Sequence, residues 1–127
     1  MERPEDDGVV GSRIELVEIA EAERLLAAGG GGFFSEGELR YARERVDPGR
    51  RLAARLAAKR AARGLLGGDV IEADVEVVRA AYGPPSLRLS GAALERMRAI
   101  GAARALVSLT HERGHAAALV LLVRDGR

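Results

Sequence analysis

Asp47-Pro48-Gly49-Arg50-Arg51-Leu52-Ala53-Ala54-Arg55-Leu56-Ala57-Ala58-Lys59-Arg60-Ala61-Ala62-Arg63-Gly64-Leu65-Leu66-Gly67-Gly68 is the stretch around which the rest of the chain has to be arranged. Asp47 offers an N-cap acceptor, Pro48 suits a first helical turn, and Gly67-Gly68 stops the element, so one long helix is predicted over residues 48–66. Its apolar side is built from Ala53, Ala54, Ala57, Ala58, Ala61 and Ala62, small enough to let another backbone or a ligand come close. Arg51, Arg55, Lys59 and Arg63 recur every four residues and stack along one face. No carboxylate lies within residues 50–66 to relieve their repulsion. An external anion or an acidic partner surface is the functional reading, and a solvated arginine-rich face the bland one.

Working outward toward the N-terminus, Ser35-Glu36-Gly37-Glu38 matches the Ser-x-x-Glu capping box and predicts a helix running through Tyr41 to about residue 46. Before it, Gly29-Gly30-Gly31-Gly32 reads as a loop; Phe33-Phe34 follows where a phosphate-binding loop would need Lys-Ser/Thr. Residues 20–28 have helical composition, and residues 9–19 alternate as a half-buried strand, with Glu15 on the side opposite Ile14 and Leu16. Residues 1–8 are expected to form a flexible tail before a single domain over residues 9–127.

Toward the C-terminus, residues 74–80 and the pair Leu87, Leu89 predict two strands around the turn Gly83-Pro84-Pro85. Ser90 is a candidate cap for a helix over residues 91–100. Residues 103–109 and 116–123 predict two further strands, separated by a polar loop from Thr110 to His115. His111 and His115 in such a loop share no helical face and have no evident third ligand, so a zinc site is not expected. The order strand, three helices, two strands, helix, two strands implies an α+β fold.

Composition narrows the function classes. The 127 residues suffice for one domain with its own core. Only Phe33, Phe34, Tyr41 and Tyr82 are aromatic, so the packing rests on Ala, Leu and Val and is expected to lean on subunit contacts. A net charge of +1 supports neither a nucleic-acid nor a membrane partner. The absence of cysteine excludes disulfides and thiolate chemistry. No apolar run approaches the roughly 18 residues of a bilayer span, and a cytoplasmic protein is expected.

Four segments in order resemble the holo-acyl-carrier-protein synthases, the small bacterial type of 4'-phosphopantetheinyl transferase. Residues 11–19 (Gly-Ser-Arg-Ile-Glu-Leu-Val-Glu-Ile) resemble the family's Gly-Ile-Asp-Ile-Val-Glu-Ile, and residues 34–41 (Phe-Ser-Glu-Gly-Glu-Leu-Arg-Tyr) its Phe-Thr-x-x-Glu-Leu-x-Tyr. Arg55-Leu56-Ala57-Ala58-Lys59-Arg60-Ala61 resembles Arg-Phe-Ala-Ala-Lys-Glu-Ala, and Ser108-Leu109-Thr110-His111 resembles Ser-Leu-Ser-His. The resemblance implies a 4'-phosphopantetheinyl transferase-like fold, an antiparallel sheet packed against a long helix. It also implies a homotrimer with sites between subunits, coenzyme A as substrate or ligand, an acyl carrier protein as partner, and a role in fatty-acid, polyketide or related biosynthesis. Arg55, Lys59, Arg63 and His111 are then the expected coenzyme A phosphate contacts.

The same resemblance marks where the chain departs from its relatives. The two family carboxylates that hold Mg²⁺ correspond to Glu15 and Arg60. Glu15 keeps the charge of a metal ligand with one more methylene, whereas Arg60 has no acceptor atom and brings a cation to the place of a cation. The family arginine that meets the carrier protein corresponds to Glu21, and a family lysine of the long helix corresponds to Gly64. A loss or alteration of the usual Mg²⁺-dependent activity is therefore expected, with binding of coenzyme A or carrier protein retained. A transferase with a rearranged site and a structural trimeric assembly partner are the alternatives. A direct Glu15–Arg60 ion pair is expected if the metal site has collapsed.

Overall fold

The computed structural model describes residues 8–79 and 82–124. The elements are β1 (Val9–Glu18), α1 (Ile19–Ala27), α2 (Glu36–Arg43), α3 (Pro48–Leu66), β2 (Val75–Val78), β3 (Ser86–Leu89), α4 (Gly91–Ala99), β4 (Arg104–Glu112) and β5 (His115–Val123), with a 3₁₀ turn at Glu72–Asp74. The expected tail lies almost wholly outside the described residues, as does the expected strand end at Ala80. The five strands form one antiparallel sheet in the order β1-β5-β4-β3-β2, so the α+β expectation holds.

Helix α3 is the axis of the molecule. It packs on β1, β5, β4 and β2 and against the other three helices. All six alanines of its small face are buried, together with Leu52, Leu56 and Leu66. Small side chains let the helix lie close to the sheet, where Val17, Ala105, Ala116, Ala118, Val120 and Leu122 form the opposing layer. The helix ends at Gly67, whose φ of 70° suits glycine, and Arg96 of α4 donates Nε to the Leu66 carbonyl at 2.9 Å.

Two expected caps act differently. Asp47 makes no side-chain cap bond because Arg50 and Arg51 draw its carboxylate aside, Arg51 Nε donating to it at 3.2 Å. Ser90 contributes its backbone carbonyl rather than its hydroxyl to the start of α4. The capping box is as expected: Ser35 Oγ accepts from the Glu38 amide, and Glu38 Oε1 accepts from the Ser35 amide. The polar loop expected from Thr110 to His115 is a correction. Strand β4 continues through His111 to Glu112, and only Arg113-Gly114 turns, because each residue to Glu112 finds a partner on β5.

Among the described residues, only one face of the sheet is covered. The register puts Arg13, Glu15 and Val17 on the α3 side and Ile14 and Leu16 on the other, level with Leu119 and Ala117 of β5. Ile14 is 69% and Leu16 63% exposed. Leu106 of β4, level with Leu121, extends the same uncovered apolar surface. Among the described residues, no helix is long and apolar enough to cross a membrane.

Candidate active site

Two charged clusters flank α3, one on each side of its alanine face. The first lies between α2, α3 and β2. Glu38 is fully enclosed, and its carboxylate meets Lys59 Nζ at 2.7 Å and the Val77 amide at 2.7 Å. Lys59, itself 1% exposed, also donates to the carbonyls of Val75 and Glu72. The ammonium of Lys59, an expected phosphate contact, is bonded in this structure to Glu38 and to two carbonyls, and so ties α2 and β2 to α3. The capping box signalled Glu38 only as a local helix-start residue; its second, tertiary role left no mark in the sequence.

Beside this pair, Arg55 is 3% exposed, lies 4.2 Å over the Tyr41 ring, and donates Nη1 to the Arg51 carbonyl, while its Nε has no partner among the described residues. Arg55, Tyr41, Arg79 and Arg88 line a cavity of about 210 Å³. Burial lowers the Arg55 pKa, against the attraction of Tyr41 and Glu38. Burial works to raise the Tyr41 pKa but is outweighed by the hydrogen bond from Arg45 and the charges of Arg55, Arg45 and Arg79, so the phenol sits below its ordinary value. The cavity is cationic on one side.

The second cluster lies between β1, α1 and α3. Arg60 grips Glu21 in a fork: Nη1 donates to Oε1 at 3.1 Å, and Nη2 donates to Oε2. That hydrogen bond from Arg60 is the main cause holding the Glu21 carboxyl below its usual value, and the same contact raises Arg60. Glu15 receives Arg13 Nε on Oε2 at 2.9 Å, leaving Oε1 without a partner among the described residues. The expected Glu15–Arg60 pair is therefore not formed, although Glu15 adds to the field on Arg60. The reason is geometric: Glu21, in the first turn of α1, presents both oxygens to the guanidinium, and Arg13 lies two residues from Glu15 on the same strand face.

The remaining site residues are dispersed. Arg63 donates Nε to the Val70 carbonyl at 2.8 Å and Nη1 to Glu72 at 2.8 Å. His111 is exposed near the hairpin end of β4, level with Ala116. The charge stripe of α3 is consequently answered from inside: Arg51 by Asp47, Lys59 by Glu38, Arg63 by Glu72, and Arg55 by the Tyr41 face. Three of these four partners lie on other elements, where local spacing does not show them.

The chain is 39% identical to the holo-[acyl-carrier-protein] synthase of Halorhodospira halophila over 91% of its own length and 98% of that protein. The chain belongs to the holo-acyl-carrier-protein synthase family. The synthase of Anaeromyxobacter sp. (strain K) is likewise 39% identical, over 93% of this chain and 98% of that one. Among solved structures, the acyl carrier protein synthase of Mycobacterium tuberculosis matches with a TM-score of 0.72 at 35% identity, covering 93% of this chain and 100% of that chain. The Chronobacterium ammoniagenes synthase in complex with coenzyme A matches with a TM-score of 0.74 at 27% identity, covering 91% and 97%. No family model matches the chain.

Glu21 and Arg60, which the resemblance aligns with a family arginine and a family glutamate, meet across the α1–α3 contact. The resident Mg²⁺ of the synthases does not fit this donor set. Each carboxylate of the cluster is held by a guanidinium, and among the described residues no group of three His, Cys, Asp or Glu side chains gathers to hold a metal ion.

Proposed function

We propose that the protein binds coenzyme A and transfers its 4'-phosphopantetheine to a carrier-protein serine, with Arg60 supplying at the diphosphate the charge that Mg²⁺ supplies in the synthases. The observation that carries the proposal is the Glu21–Arg60 fork beside Glu15. The pair keeps a carboxylate and a cation at the α1–α3 contact instead of leaving two like charges there. A guanidinium recognises phosphate oxygens bidentately and requires no metal geometry. The serine oxygen attacks the β-phosphorus of coenzyme A, the bond from that phosphorus to the bridging oxygen breaks, and adenosine 3',5'-bisphosphate leaves. Glu15, whose Oε1 is unengaged, takes the serine proton, while Glu21 is occupied at both oxygens and holds Arg60 in place.

The cavity of Arg55, Tyr41, Arg79 and Arg88 supports a second anion contact, for a phosphate away from the reacting bond, and the buried Nε of Arg55 gives it a donor. Arg63 and His111 are further cations within this reading. The uncovered apolar face at Ile14, Leu16 and Leu106 supports a homotrimer, since a surface of this kind is costly to leave in water. A cytoplasmic location and a role in fatty-acid, polyketide or related biosynthesis follow from the same reading.

The test is incubation with coenzyme A and several apo carrier proteins, with and without Mg²⁺, followed by mass spectrometry. A phosphopantetheine mass gain that survives chelation supports the proposal. Coenzyme A binding with no mass gain on any carrier makes the protein a binding homologue instead.

A further inference from the structure

Gly64 sits inside α3 two residues before its last residue, Leu66, where glycine costs about 1 kcal/mol relative to alanine. Its backbone is not in the left-handed region, so conformational freedom does not explain it. Space does. A Cβ at residue 64 would collide with Arg13 Nε and come within 2.7 Å of Arg13 Cδ and Cζ. The Arg13 side chain therefore occupies the space that a side chain at residue 64 would fill, and its Nε donates to Glu15. Its terminal nitrogens have no partner among the described residues, and the side chain is half exposed. Gly64 also lines, with Arg60, Arg63, Gly67, Gly68 and Val70, a cavity of about 260 Å³. Arg13 thus lies against Gly64, one of the residues lining an opening that Arg60 and Arg63 also line.

We propose that Arg13, seated on Gly64, is the second diphosphate-facing cation of this site, working with Arg60. The assignment rests on the reading that coenzyme A is the ligand. The resemblance aligns Arg13 with a family glycine and Gly64 with a family lysine. The cation has moved from the helix to the strand, and the glycine has moved the other way. Two guanidiniums then carry the charge neutralisation of the diphosphate without a metal ion.

The experiment is titration calorimetry of the full chain with coenzyme A and with adenosine 3',5'-bisphosphate, which lacks the diphosphate. Arg13→Ala is expected to weaken coenzyme A binding about tenfold, the usual scale for a charge-assisted contact, and to change bisphosphate binding less than about twofold. Gly64→Ala should reproduce that pattern by unseating Arg13. Arg13→Lys should recover part of the loss, and the double variant Arg13→Gly/Gly64→Lys should restore affinity by returning the cation to the helix. Chelation should leave wild-type affinity unchanged. Thermal melting checks that each variant folds; if Gly64→Ala does not, the Arg13 variants decide alone. Unchanged coenzyme A affinity in Arg13→Ala overturns the assignment, and so does an equal loss for both ligands. Because affinity is read without turnover, a tenfold loss in a protein that modifies no carrier retains this assignment and overturns the transferase reading alone.

Discussion

Arg60 and Glu21 face each other across the α1–α3 contact, and both oxygens of the carboxylate are engaged. A lone arginine at position 60 would be a cation placed against the field of its own family's site. Paired with Glu21 it is an oriented group held by two hydrogen bonds, and this changes what its substitution should do.

Glu21→Arg or Arg60→Glu alone should destabilise the chain by about 1 kcal/mol, the scale of a partly exposed pair, because each sets like charges against one another. The double variant should recover the loss, as read by denaturant midpoints. It should also gain Mg²⁺-dependent coenzyme A affinity, since it places a carboxylate on α3 beside Glu15.

Lys59→Ala should be far more damaging. It leaves the Glu38 carboxylate buried without its cation and orphans the carbonyls of Glu72 and Val75. Breaking a buried pair from one side costs about 3–5 kcal/mol, so the urea midpoint should fall steeply, while Arg51→Ala on the same stripe should change it little.

Glu15→Gln removes the proposed base while keeping the shape of the side chain. Carrier-protein modification should drop roughly 100-fold, within the usual range for a general base. Coenzyme A affinity should remain within about threefold, because no phosphate contact is proposed for Glu15.

The Glu21 carboxyl is lowered by its hydrogen bonds from Arg60. A depressed folded value means that this stabilisation is complete above the unfolded carboxyl value and is lost as pH falls through the lower folded one. Glu21→Gln should therefore lower stability near neutral pH and flatten the acid limb, with the two curves converging at low pH in thermal melts.

Ile14→Lys combined with Leu16→Lys places two charges on the open sheet face. Sedimentation should show the wild type as a trimer and this variant as a monomer with unchanged far-ultraviolet circular dichroism. A wild type that sediments as a monomer overturns the trimer.

The elements were legible because their signals are local. Helix α3 runs over the predicted residues 48–66, since a proline near its start and a glycine pair at its end act within one turn of the backbone. The capping box at Ser35 and the alternation in β1 were readable for the same reason. Strand β4 ran past its expected end because pairing with β5 outweighs the polarity of Thr110, His111 and Glu112.

By itself, the sequence determined the α+β order, the family resemblance and the residue types at the site. Only the tertiary structure decided which charge answers which. Glu21 and Arg60 are 39 residues apart, Glu38 and Val77 likewise 39, and Arg13 reaches Gly64 from a strand at the sheet edge. Coulomb attraction and steric fit depend on distance through space, and the chain brings these groups together only when the sheet closes on α3.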